Sequence, residues 1–173
     1  MLYTGRGDDG LTKLFSQRIP KSSLIFDALG TIDELNSFLG FCKVKLKKRQ
    51  KKYAKILEEI QQNLFIIQAE VVGNKMTISG EKLERLEKLI NKIEKEMPPI
   101  KTFFLAGGTE LAALFDLART VSRRAEREVI KAKEIKIGEK SLAYLNRLSS
   151  VLYALARLTN HQAGVKEKPP TYK

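Results

Sequence analysis

Thr109 to Lys131 reads TELAALFDLARTVSRRAEREVIK. It holds no Pro or Gly and is rich in helix formers, so it predicts one long helix. At 100° per residue, Leu111, Leu114, Ala118, Val121, Ala125 and Val129 share one face. Arg119, Arg123 and Arg127 fall nearly opposite, with Glu126 flanking them and Arg124 to one side. Guanidiniums in a row repel one another, and each presents a rigid donor fork suited to phosphate or carboxylate. A charged stripe is commonly just the solvated side of a helix, but such sides normally mix Lys with Glu at i, i+4, as Glu84 and Lys88 do. Four Arg and no Lys between 119 and 127 tilt the reading toward a polyanion.

Working outward, Thr109 is the expected N-cap, preceded by Gly107-Gly108. The connector before it, PPIKTFFLAGG over 98–108, carries Phe103 and Phe104. Two adjacent aromatics on a short extended segment cannot both point into one core, so one is free to line a surface pocket; the alternative is a small satellite cluster under the loop. Upstream, a helix is expected from Ser79 to Glu96, with Leu83, Leu86, Leu89, Ile90 and Ile93 inward and Pro98-Pro99 as its stop. Another runs from Lys51 to Val72 on Leu57, Ile60, Leu64, Ile67 and Val71, closed by Gly73-Asn74. The first helix is read from Ser23 to Lys48, with Leu35, Phe38, Leu39 and Cys42 as core. Thr31-Ile32-Asp33-Glu34 also fits a capping box that would start it later; we read a single helix in which Gly30 lets a neighbour approach closely. Downstream, the last helix spans Glu139 to Gln162, its apolar face interrupted by Asn146 and Arg147, and residues 165–173 are expected to fray. Five amphipathic helices with short turns and no strand pattern define an all-α, up-down five-helix bundle in a single domain over 1–173.

Composition sets the bounds. A length of 173 residues suits one domain with a real core, and 43% apolar with 30% charged residues is a soluble mix. No run is apolar enough to span a bilayer, and Met1-Leu2-Tyr3 does not open a signal peptide. The single Cys42 excludes an internal disulfide, suits a cytoplasmic setting and reads as a buried small hydrophobe; the single His161 excludes a His-based zinc site. A formal net charge of +12 favours anionic partners. Much of it sits in KVKLKKRQKKYAK over 43–55, read as a solvated helix end, since few aromatics interleave with the cations.

Residues 1–22 read as an ordered, irregular arm. Thr4-Gly5-Arg6-Gly7-Asp8-Asp9-Gly10-Leu11-Thr12 concentrates Gly, Asp and Thr so that backbone N–H groups can turn toward a ligand. It is neither a Walker A loop nor a dinucleotide fingerprint. Arg18 and Lys21 add cations.

YTGRGDDGLT, RIPK, GTIDELNSFLG, FFLAGG, ARTVSRRAER and YLNRLSSVLYALAR stand in the order found in one enzyme family. From Tyr3 to about Gly164 the chain resembles the PduO-type ATP:cob(I)alamin adenosyltransferases. The resemblance implies a homotrimer of five-helix bundles with active sites between subunits, and transfer of the 5′-deoxyadenosyl group of ATP to cobalt with release of triphosphate. It implies that Thr4, Gly5, Arg6, Gly7, Thr12, Lys13 and Lys21 wrap the ATP, joined by Arg123, Arg124, Glu126, Arg127 and Asn146. Arg119 matches an Arg that pairs across the subunit boundary with an Asp, here Asp33. Phe103 matches the aromatic beneath the corrin that excludes the lower axial ligand, and Asn36, on the flank of Asp33, is assigned with it to the corrinoid. Arg123, Arg119, Asp33 and Phe103 form the expected catalytic set, with Mg²⁺ accompanying the triphosphate. Cob(I)alamin is itself the nucleophile, so no Ser, Cys or His is required for that role. Ala106 replaces a frequent Pro, Ser22-Ser23 replace acidic residues and Gly5 replaces a longer side chain. A reductase or a cobalamin-dependent enzyme is a conceivable partner; no membrane or specific nucleic acid is expected. The competing readings are a basic nucleic-acid-binding helical module, motivated by the net charge, and a purely structural bundle.

Overall fold

The structure is a computed structural model that describes residues 2–14, 17–134 and 136–172, leaving the side chain of Arg49 aside. Five α-helices carry it: α1 (Leu24–Val44), α2 (Ala54–Val71), α3 (Gly80–Glu94), α4 (Glu110–Lys131) and α5 (Glu139–Gln162). α4 packs against both α1 and α5, while α2 lies on α1 and α3 on α5. One continuous core runs through them, built on Ile32, Leu39, Leu57, Leu64, Phe115, Ala118, Leu145 and Leu152, all fully buried. Each large aliphatic side chain removed from water in this way contributes about 1.5–3 kcal/mol before entropy is counted. No helix among the described residues is long and apolar enough to cross a membrane.

Two boundaries depart from the sequence reading for local reasons. α1 stops at Val44 rather than Lys48, and α2 begins at Ala54 after a 3₁₀ turn over Lys48–Tyr53. The lysine run repels itself along a helix, and the Gln50 side chain accepts the Lys47 N–H at 3.0 Å, offering the backbone a turn instead. Thr31 is not a cap: its hydroxyl donates to Asp27 O at 2.7 Å inside α1. A Cβ at Gly30 would meet nothing within 4 Å, so the close approach occurs elsewhere, at Gly40, where a Cβ would lie 3.4 Å from Gln61 Nε2.

Two further expectations are corrected. The bundle is not purely helical: Leu11–Leu14 (β1) and Gln17–Pro20 (β2) pair antiparallel, Leu11 opposite Pro20 and Leu14 opposite Gln17. The alternation that marks a strand extends over only four residues on each side, too short to stand out in the sequence. The tail, expected to fray, is anchored over 165–168. Val165 N donates to Asn160 O at 3.0 Å and Leu105 N to Lys168 O at 2.9 Å. Glu167 accepts from Arg157 and Asn160 on α5. Lys173 lies outside the described residues.

Cys42 is fully buried, and burial pushes its thiol up to about 12, which makes it an inert core residue.

Candidate active site

The arm is a compact loop rather than an open end. Arg18 donates to both oxygens of Asp9 at 2.8 and 2.7 Å and to Arg6 O at 3.2 Å. That guanidinium, and then the Leu11 N–H, hold the Asp9 carboxyl below the usual carboxylate range. Lys21 Nζ donates to Gly7 O at 2.7 Å, and a Cβ at Gly7 would stand 2.9 Å from that ammonium, so Gly7 makes room for it. Thr4, Gly5, Arg6, Gly7, Thr12 and Lys13 line a concavity of about 750 Å³ on this arm.

A second cleft, of about 470 Å³, opens between α3, α4, α5 and the 98–108 connector. Phe103, Phe104, Arg119, Arg123, Ser150 and Tyr153 are among its walls. Both aromatics line the cleft, Phe104 half-buried and Phe103 74% exposed. The arm concavity and this cleft have no lining residue in common within one chain.

The arginine stripe is partly neutralised. Within the chain, Arg119 Nε lies 3.5 Å from Asp116 Oδ1, and Asp33 is exposed on α1. Arg124 forms an ion pair with Glu34 across the α1–α4 seam. Arg127 donates to Arg123 O at 3.2 Å. Among the described residues Arg123 and Arg127 face no carboxylate partner, and both are exposed. Glu126 accepts from Asn146 Nδ2 at 2.8 Å, and Asn146 Oδ1 accepts from Arg147 at 2.9 Å, so this exposed amide is satisfied on α4 and α5. Asn36 is 5% exposed and donates to Gln61 O at 3.2 Å. Its position ties α1 to α2.

The sequence reading passed over the buried polar group behind the cleft. Arg157, 2% exposed, binds Asp116 and, at 2.5 Å, Glu167. Asn160 donates to Gly107 O at 2.8 Å and accepts from Thr109 N at 2.9 Å. Thr109 Oγ in turn caps α4 by accepting from Ala112 N at 3.2 Å. The paired glycines now have a cause. Gly108 sits at φ +93°, and a Cβ there would lie 2.5 Å from Asn160 Oδ1. Gly108→Ala is expected to destabilise the fold by about 1–3 kcal/mol through left-handed strain plus that clash, measured as a lowered thermal midpoint with the helical CD shape kept. The available signal was an acid on the apolar stripe of α4 and a cation on that of α5, two opposite charges on faces that pack together.

Within the lysine run, three cations have partners. Lys43 donates to Gln61 at 3.1 Å, Lys45 pairs with Glu110 at 2.7 Å and Lys52 with Glu96 at 3.3 Å. These contacts draw down part of the charge that motivated the nucleic-acid reading.

Fold and site together define a helical-bundle protein with a cationic helix and an exposed aromatic on one cleft, beside a glycine-rich arm. A family model for cobalamin adenosyltransferases matches residues 2–159, and the chain belongs to that family. It is 38% identical to the corrinoid adenosyltransferase of Bacillus subtilis, covering 95% of this chain and 89% of that protein. It is 39% identical to the corrinoid adenosyltransferase PduO of Citrobacter freundii, over 94% of this chain but 50% of that protein. The chain thus spans about half the length of this relative, and 52% of the PduO of Salmonella typhimurium. A variant PduO-type ATP:corrinoid adenosyltransferase from Lactobacillus reuteri, solved with cobalamin and ATP, superposes with a TM-score of 0.94 at 30% identity, covering 99% of this chain and 97% of that one.

Proposed function

We propose that this chain transfers the 5′-deoxyadenosyl group of ATP to the cobalt of cob(I)alamin, giving adenosylcobalamin and triphosphate. The observation that carries the reading is the shared cleft: an unneutralised Arg123 and the exposed Phe103 ring are walls of one cavity, where a polyphosphate and a large ring system can be held side by side. The Lactobacillus reuteri relative was solved with both molecules. In the reaction the cobalt(I) electron pair attacks C5′. The Co–C bond forms as the C5′–O bond breaks, the bonding pair leaves with triphosphate, and cobalt ends as Co(III). The protein adds no nucleophile. It holds the reactants in line and stabilises charge developing on the leaving group. Arg123 and Arg127 on α4 and Lys21 on the arm serve that purpose, with Thr4, Gly5, Arg6, Gly7, Thr12 and Lys13 enclosing the nucleotide. Glu126 and Asn146, already bonded to each other, form a polar rest for the nucleoside end, and Arg124 borders it.

The arm and the cleft have separate linings in one chain, which supports a homotrimer in which the arm of one subunit closes the cleft of the next. In that assembly Asp33 meets Arg119 across the boundary, where Asp116 already orients the guanidinium. Sedimentation is expected to give a trimer at micromolar concentration; a monomer with full activity would remove the shared site. Mg²⁺ belongs to the triphosphate rather than to a protein cage, since the described residues offer no cluster of three or more potential ligands.

Phe103 acts on the corrin. An apolar ring under cobalt displaces the lower axial ligand, and cob(II)alamin without that ligand is easier to reduce. Phe103→Ala is expected to keep the CD spectrum and the KM for ATP while slowing adenosylation about tenfold or more. The four-coordinate cob(II)alamin spectrum expected with wild type plus ATP should vanish in the variant. The primary assay is direct: ATP and chemically reduced cobalamin should produce adenosylcobalamin absorbance, and its absence would refute the reaction.

A further inference from the structure

The α5 network points to a function for the C-terminal strap, residues 165–172. Glu167 Oε1 accepts at 2.5 Å from Arg157 and at 2.6 Å from Asn160. The other arm of the Arg157 guanidinium holds Asp116, whose second oxygen faces Arg119. Asn160 carries the connection to Gly107 O and to Thr109 N, the two sides of the turn that follows the aromatic loop. One residue further along the strap, Lys168 O accepts the Leu105 N–H at 2.9 Å, two positions after Phe103. The loop bearing Phe103 is therefore fastened at Leu105, Gly107 and Thr109, and each fastening leads to residue 160, 167 or 168. Two cations, Arg119 and Arg157, alternate with two carboxylates, Asp116 and Glu167, so the group is balanced as it stands. The guanidinium of Arg157 stacks 5.1 Å from the ring centre of Tyr153, which lines the cleft.

Resting on the reaction proposed above, we infer that Glu167 is a positioning residue for the corrinoid side of the cleft: through Arg157, Asn160 and the strap backbone it holds the Phe103 loop and the Arg119–Asp116 pair in register. It touches neither ATP nor cobalt. The strap thus belongs to the working site, although it lies beyond the residues matched by the family model. A side chain that wedges under a metal must be held by its backbone, because a loop displaced by an ångström loses the effect. Phe103 is itself exposed, so it receives little packing of its own and depends on these three anchors.

The test uses the full-length protein with E167Q, which removes the charge at nearly constant size, and E167D, which keeps it. Substrate-free hydrogen exchange should show the Leu105 and Thr109 amides exchanging faster in E167Q than in wild type. With saturating ATP and cob(II)alamin, the four-coordinate fraction should fall by about fivefold or more in E167Q and recover partly in E167D, while the KM for ATP stays within about twofold. Equal four-coordinate fractions in wild type and E167Q would overturn the positioning role and leave the reaction standing. A parallel loss of ATP affinity, corrinoid signal and thermal midpoint in both variants would reduce Glu167 to a stability residue and overturn it as well. A wild type that never shows the four-coordinate species or product would instead defeat the underlying reaction.

Discussion

Arg123→Ala is expected to lower kcat/KM for ATP by about 10²–10³-fold, the usual effect of deleting one donor aimed at developing negative charge. The reason lies in what its neighbours are already doing. Arg119 is engaged by Asp116 and Arg124 by Glu34, so neither can move to a new phosphate without abandoning a carboxylate. Arg123 is exposed, free of any acid among the described residues, and lines the cleft. Its removal subtracts no packing, so the helical CD spectrum and the thermal midpoint should be unchanged. Steady-state kinetics with cob(I)alamin held saturating makes the measurement. Wild-type turnover in this variant would mean that the triphosphate lies elsewhere.

The largest stability effect is expected at Arg157. Arg157→Met fills much of the volume but strips the cation from two carboxylates, Asp116 at 6% and Glu167 at 13% side-chain exposure. Removing this cation leaves Glu167 unpaired and Asp116 with only the more distant Arg119, a loss of about 3–5 kcal/mol. For a chain of this length that lowers the thermal midpoint by roughly 6–20 °C. Calorimetry of wild type and variant decides it. A shift of only a degree or two would show that the group relaxes by opening the strap to water.

Most of the bundle was legible because its signals are local and repeated. The apolar stripes of α2 and α4 are the observed core faces, and Ser79 and Thr109 accept the cap bonds from Lys82 N and Ala112 N. What escaped depends on meetings between distant residues. The hairpin is fastened by Arg18 reaching back to Asp9 and Lys21 to Gly7, contacts that no periodicity announces. The strap looked loose because Lys and Pro dominate its composition, yet Glu167 alone supplies its main anchor. At the candidate site, motif order singled out Arg123 and Phe103, and both are walls of one cleft. Only three-dimensional packing distinguishes the free Arg123 from its engaged neighbours Arg119 and Arg124, and only it reveals Asn36 as a clamp between α1 and α2.

The capping of α4 has a kinetic corollary. Many phosphate-binding folds seat the anion on the amides at a helix start, but here the Thr109 and Ala112 amides are already spent on Asn160 and Thr109 itself. Two amides at that helix start are thus occupied, and on the proposed reading the nucleotide is gripped halfway along the rod, by long side chains on swivels. On that reading, release of the spent triphosphate begins with guanidinium rotations on a nanosecond scale.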